Sequence, residues 1–132
     1  MIRRTYDAAE INELINDPDI RPTVGGEGYL DAADLIADRR NIALIGDGGG
    51  ALFAWRGPGV YEGHSFFQVR GKEAVQLARA ILAKMSRRAN LIWGLTPADL
   101  KHVHLFNRLI GFECLGEMDT PEGPHILYEM RF

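Results

Sequence analysis

Between residues 60 and 85 a strand runs through a basic turn into a strongly amphipathic helix, and no other feature constrains the fold as tightly. Val60–Phe67 reads as a strand, whereas Ala74, Leu77, Ala78, Ile81, Leu82 and Met85 recur at the three-four spacing of one apolar helical stripe. The two segments meet at Gln68-Val69-Arg70-Gly71-Lys72, a short basic turn containing glycine. Glu73 falls in the first helical turn, and Lys84, Arg87 and Arg88 cluster near the last, placements that suit the helix dipole. A strand that runs directly into such a helix needs a sheet with helices packed on it.

The flanking segments fill in that sheet. Ile42–Ile45 and Ala51–Trp55 are apolar runs on either side of Gly46-Asp47-Gly48-Gly49-Gly50, a hairpin signature because glycine accepts positive φ. Arg56-Gly57-Pro58-Gly59 makes the next turn, so three antiparallel strands are expected in succession. Leu91-Ile92-Trp93 reads as a short buried strand. Thr96-Pro97-Ala98-Asp99 then opens a helix, with threonine as the cap and proline at the first helical position. Leu100, Val103, Phe106, Leu109 and Ile110 form its inner face, and Gly111 ends it. Phe112–Gly116 and Ile126–Phe132 read as closing strands around Pro121-Glu122-Gly123-Pro124. Near the start, Asp7–Asn16 reads as a helix stopped by Asp17-Pro18. Arg21–Gly28 looks like a loop with no intrinsic order, and a second short helix begins at Asp31 with Leu35 and Ile36 turned inward. The expected order is helix, helix, three strands, helix, strand, helix, two strands. One domain over residues 1–132 accommodates all of it, with no repeat, low-complexity tract or linker.

Composition narrows the function. The 15 basic and 18 acidic side chains leave a formal charge of -3, so no basic field draws the chain to nucleic acid or an anionic membrane. No apolar stretch approaches the roughly 20 residues that cross a bilayer, and Met1-Ile2-Arg3-Arg4 is followed by Thr5-Tyr6-Asp7, not by a leader's apolar run. The single cysteine, Cys114, has no partner for an internal disulfide. A soluble, cytoplasmic protein is expected.

The chemistry lies in the turn before the long helix. The first N–H groups of a helix have no internal partner and point along the positive end of its dipole, so they can hold an anion. Gly71 lets the main chain approach a phosphate, and Arg70 and Lys72 add charge. An ordinary strand-turn-helix with a solvated basic loop is the alternative reading. This segment resembles motif A of the GNAT acetyltransferases, whose turn reads Q/R-x-x-G-x-G/A: Gln68, Val69, Arg70 and Gly71 match, while Glu73 stands where glycine or alanine is expected and Ala74 follows. Phe106-Asn107-Arg108-Leu109-Ile110-Gly111-Phe112 resembles the helix end and Gly-Phe corner of motif B. The resemblance covers about residues 42–132; the N-terminal part is loosely similar to short GNAT-like proteins of phage or prophage settings.

The resemblance implies an α+β fold with a mixed, mostly antiparallel sheet and helices on both faces. It further implies an N-acetyltransferase in which a primary amine attacks acetyl-CoA directly. Acetyl-CoA would be co-substrate, no metal would be needed, the acceptor is open, and a homodimer is compatible with it. Phe67, Gln68, Val69, Arg70, Gly71, Lys72, Glu73 and Ala74 would hold the cofactor. Of these, the amides around Phe67–Val69 would polarise the thioester and those of Val69–Ala74 would hold the pyrophosphate. Pantetheine would lie where the third strand splays from Leu91–Trp93. Glu62 and His64, on one face of that strand by alternation, are the candidate bases. The other reading of the pair is a carboxylate matched to a surface arginine and a hydrogen-bonded histidine at a sheet edge. Asn107 occupies the position of the family's leaving-group tyrosine, where an amide can orient a proton carrier but cannot supply a proton. Neither the usual asparagine near the start of that helix nor its equivalent is present at Asp99, Leu100 or Lys101. A silent acyl-CoA binder or a phage-associated interaction protein with the same fold is the alternative function. The acceptor would be chosen by the loops Arg21–Tyr29 and Met118–His125.

Other motifs carry less. Gly46–Ala51 fits the letters of a dinucleotide-binding fingerprint, but no helix follows it. His102 and His104 diverge on a helix, which argues against a shared metal; His125 begins a strand. Cys114, Phe53, Trp55 and Trp93 are read as core, and Arg87-Arg88 as a basic helix end.

Overall fold

The computed structural model describes residues 1–132. Seven strands form one sheet: β1 (Arg3–Thr5), β2 (Ile42–Gly46), β3 (Gly49–Gly57), β4 (Val60–Phe67), β5 (Leu91–Pro97), β6 (Glu113–Thr120) and β7 (Gly123–Arg131). Their spatial order is β1-β2-β3-β4-β5-β7-β6. All neighbours are antiparallel except β4 and β5, the pair joined through the long helix. The helices are α1 (Ala8–Ile15), α2 (Arg21–Val24), α3 (Ala33–Ala37), α4 (Gly71–Met85) and α5 (Lys101–Leu109). The mixed, mostly antiparallel sheet with helices on both faces is therefore the fold that forms, and no helix is long and apolar enough to cross a membrane.

Two cores explain the layering. On one face the α4 stripe, Leu77, Ile81, Leu82 and Met85, packs on Ile42, Leu44, Ala51, Phe53, Tyr61 and Ile92. On the other, Ile11, Ile15, Ile20 and Ile36 of the N-terminal helices cover Ala43, Leu52 and Phe66. The buried cluster under these N-terminal helices draws on β2–β4 alone, and on β5, β7 and β6 that second face is left largely bare, with Leu95, Leu115 and Met118 exposed.

The structure corrects several expectations. A short strand, β1, precedes α1 and pairs Arg3–Thr5 with Ile45–Ala43; three residues are too few to show a period. The 21–28 segment is ordered: α2 occupies Arg21–Val24, and the Arg21 guanidinium donates to the Gly25 carbonyl at 2.7 Å and the Gly28 carbonyl at 2.8 Å. Asn16 bonds both the N–H and the carbonyl of Leu30, fixing the end of this loop. Leu35 and Leu109, expected inside, are exposed, and α5 buries no residue completely. Cys114, read as core, is exposed on the edge strand β6. Thr96 and Pro97 do not open α5; they finish β5, whose ladder with β7 continues to Pro97↔His125. Because Ala98 N–H donates to Pro124 on β7, the missing N–H of Pro97 falls on the unpaired side of the strand, where proline costs no ladder bond.

Glu10 ties β1 to α1. Its carboxylate takes bonds from the Arg3 guanidinium and, at 2.7 Å, from the buried Thr5 hydroxyl, which hold its pKa down at about 2. A depressed carboxylate pKa stabilises the fold above the ordinary carboxylate range, and that contribution disappears as pH falls toward about 2. Glu10→Gln should therefore flatten the decline of denaturant stability between pH 5 and pH 2; a profile unchanged from the parent would contradict the assignment.

Candidate functional site

The antiparallel ladder between β3 and β4 runs the full length of β4, to Gly49↔Phe67. The parallel ladder on its other side stops early: Val60↔Leu91, Tyr61↔Ile92 and Glu62↔Trp93 are its only pairs. Beyond Glu62 and Trp93 the two strands part, leaving a wedge through the sheet. Two glycines face each other at its apex, where a Cβ on Gly94 would stand 3.4 Å from the Gly63 carbonyl. Gln68 N–H points back to β3, donating to the Gly48 carbonyl at 2.8 Å. Since peptide directions alternate along a strand, the N–H groups of Ser65 and Phe67 face the wedge. On the face covered by α4, Phe106 of α5 closes edge-to-face on Phe67, with centroids 5.9 Å apart.

The wedge leads to the mouth of α4. Gly71 adopts φ +58°, and a Cβ built on it would meet no atom within 4 Å. Arg70, at the N-cap, gives no side-chain cap, and the N–H groups of Gly71, Lys72 and Glu73 have no acceptor in the protein. Open space, an uncapped helix start and the Lys72 ammonium make a ready anion site. Arg70 itself turns back, donating to the carbonyls of Phe67 (2.7 Å) and Val69 (3.2 Å). Ala74 is buried in the core, so only its backbone belongs to the mouth.

One expected role must be redistributed. The N–H groups of Gln68 and Val69 both donate to the Gly48 carbonyl, at 2.8 and 3.2 Å, and cannot also polarise a thioester. Of the expected trio, Phe67 alone keeps a free N–H direction. Gly48 is the residue that sequence reading missed here: it sits in the β2–β3 hairpin, and only its glycine character was visible.

Glu62 and His64 lie on the face opposite α4 and meet, with Nε2 to Oε2 at 3.1 Å. Arg56 also pairs with Glu62, at 2.8 Å. The His64 hydrogen bond, aided by Arg56 and opposed by burial, holds the Glu62 carboxyl below its usual range. Asn107 lies on the α4 face and does not join them; its amide donates to Thr96 Oγ at 3.1 Å. Beside it, His104 approaches the carbonyls of Pro97 (3.0 Å) and Ala98 (3.2 Å) through Nε2, so that nitrogen carries the proton and Nδ1 accepts from the Tyr128 hydroxyl at 2.7 Å. Burial pushes the Tyr128 phenol up, keeping it a donor. No group of three or more His, Cys, Asp or Glu side chains could hold a metal ion.

No sequence-family model and no curated protein matches the chain. Solved structures do. The aminoglycoside acetyltransferase AAC(6')-Ib in complex with coenzyme A and kanamycin superposes with a TM-score of 0.76 at 17% identity, over 99% of this chain and 94% of that one. YncA, a putative acetyltransferase from Salmonella typhimurium with acetyl-CoA, gives 0.73 at 16%, covering 99% and 92%. An acetyltransferase of the GNAT family from Bacillus anthracis gives 0.69 at 18%, covering 98% and 93%. The chain thus has the fold of the GNAT acetyltransferases.

Proposed function

We propose that the chain is an N-acetyltransferase that moves an acetyl group from acetyl-CoA to a primary amine by direct attack. The observation that carries this reading is the wedge between β4 and β5 ending at the unpaired N–H groups of Gly71, Lys72 and Glu73. A diphosphate on those donors puts the pantetheine arm along the open edge of β4. From Gln68 back to Gly63 is about 16 Å at the usual strand rise, within reach of that arm in extended form. The thioester then falls just short of the wedge apex, where the Ser65 N–H would polarise its carbonyl.

The two faces of the sheet divide the remaining work. An amine reaching the apex from the bare side meets His64 and Glu62 first. Glu62 stays ionised and orients the ring, so His64, whose imidazole can accept a proton, is assigned the base and Glu62 its positioning partner. The departing thiolate lies toward Thr96 and Asn107. Asn107 can stabilise sulfur by hydrogen bonding, and the proton comes from solvent. His64→Ala should lower kcat about 100-fold with little change in KM for acetyl-CoA, and Glu62→Gln should lower it less. Equal losses in kcat and cofactor affinity would instead mark a structural pair.

Titration calorimetry with coenzyme A tests the central claim, and NMR spectra of the same titration should shift the amides of Gly71, Lys72 and Glu73. Absence of binding at millimolar coenzyme A would remove the reading. A second reading, an acyl-CoA binder without turnover, is favoured by the Asn107 amide being engaged by Thr96; tight binding with no thiol release on any amine would select it.

A further inference from the structure

The bare half of the sheet holds a groove beside the residues assigned to acetyl transfer. Trp93, Leu95, Leu127, Leu115, Met118 and Glu129 line about 340 Å³ on β5, β7 and β6. Leu95, Leu115 and Met118 stay 36%, 48% and 43% exposed, so three large apolar side chains gather on one open surface. Leu115 shares the face of Glu113, and a register shift between Cys114 and Gly116 makes a bulge that brings Met118, opposite His125, onto the same face. Trp93 is the register partner of Glu62, which puts the groove directly beside the Glu62–His64 pair. At the far end the 25–28 loop approaches the β6–β7 turn, where a Cβ on Gly25 would stand 3.5 Å from the Glu122 carboxylate.

Resting on the acyltransferase reading, we propose that this groove binds the acceptor, and that the acceptor is a small primary amine with an apolar body. The groove face is acidic on balance, which favours a cation: Glu62 and Glu129, each paired with one arginine, border it, and the β6 edge carries Glu113 on this face and Glu117 and Asp119 on the other. A second copy laid along β6 would set those three acidic side chains against themselves, which disfavours a dimer through this face. A polycationic sugar, the ligand in the kanamycin complex of the similar fold, wants several free carboxylates. Here Glu129 is bound to Arg131 at 3.0 Å, Glu62 to Arg56 and His64, and the other five lining side chains named offer aliphatic and aromatic surface. The volume is at the small end for organic ligands and suits one ring or a short branched chain. In the step itself, the neutral amine nitrogen forms the N–C bond as the C–S bond breaks, His64 takes the nitrogen's proton, and the thiolate is protonated by solvent.

The test uses the full chain, acetyl-CoA, and three amines: 2-phenylethylamine, putrescine and kanamycin. Thiol release should give 2-phenylethylamine a kcat/KM at least about tenfold above the other two. Met118→Glu, on an exposed strand, should cut that value at least about tenfold while coenzyme A affinity stays unchanged. In a Trp55→Phe background, Trp93 emission reports amine binding without turnover, and 2-phenylethylamine should shift it at millimolar concentration. Equal or better use of kanamycin, indifference to Met118→Glu, an unmoved Trp93 signal, or a solution dimer that Met118→Glu dissociates would each overturn the proposal. Loss of coenzyme A binding with the Trp93 shift intact would remove the acyltransferase reading and leave the amine groove standing.

Discussion

Gly71→Asp abolishes coenzyme A binding and leaves the fold intact: affinity falls by at least about 100-fold, or about 2.7 kcal/mol. The backbone can accept the change. Gly71 sits at φ +58°, in the left-handed region that aspartate tolerates better than most residues, and a Cβ there enters open space. The electrostatics cannot. The new carboxylate stands at the mouth of α4, over the N–H groups of Gly71, Lys72 and Glu73 that the diphosphate needs. It would take those donors itself, as acidic residues do at helix starts, and repel any phosphate that approached. Thermal stability should therefore hold or rise slightly as affinity collapses. Gly71→Ala separates the two effects, since it has similar strain without charge and should lose far less affinity. Calorimetry beside a melting curve for each variant checks this; a Gly71→Asp protein that binds normally would show that the diphosphate goes elsewhere.

The parts of this molecule that were legible in its sequence are those where local pattern and tertiary structure agree. The passage from β4 to α4 was visible because a strand-like run gives way within five residues to apolar positions at helical spacing, and that apolar side of α4 is buried. The β2–β3 hairpin was visible through Asp47-Gly48, the residues that form its loop. Where tertiary pairing overrules local preference, the pattern misled. Thr96-Pro97 is a good helix opening, yet β7 keeps the chain extended to Pro97↔His125 and turns Thr96 toward Asn107. Cys114 and Leu109 have core chemistry and surface positions, because β6 is an edge strand and α5 covers little. The site divides along the same line. The alternation that puts Glu62 and His64 on one face is local, and the structure brings them within 3.1 Å. That the Gln68 and Val69 amides are claimed by a hairpin twenty residues earlier is a non-local fact with no trace in the turn itself.

That hairpin contact sets up the second large effect. Gly48→Ala should cost roughly 2–4 kcal/mol of stability, from a side chain forced into a packed space and held at positive φ. At φ +94°, a Cβ on Gly48 would stand 2.4 Å from Val69 Cγ1 and 3.0 Å from Cγ2, closer than carbon atoms approach. Either the hairpin or the turn must move. The hairpin is held by β2 and β3 ladders on both sides, so the turn is the softer partner. Moving it breaks the bonds from Gln68 and Val69 to the Gly48 carbonyl and tilts the donors that follow at Gly71–Glu73. The expected outcome is a melting temperature lower by roughly 10 °C and coenzyme A affinity lower by about tenfold or more. Val69→Ala in the same chain removes both γ carbons from the collision. The double variant should recover much of the affinity and part of the stability, the remainder being the cost of alanine at positive φ, while Val69→Ala alone should bind almost normally. Such non-additivity would show that the phosphate turn is set from β2–β3. If the two effects simply added, the turn would owe its shape to its own sequence, and Gly48 would be only a hairpin glycine.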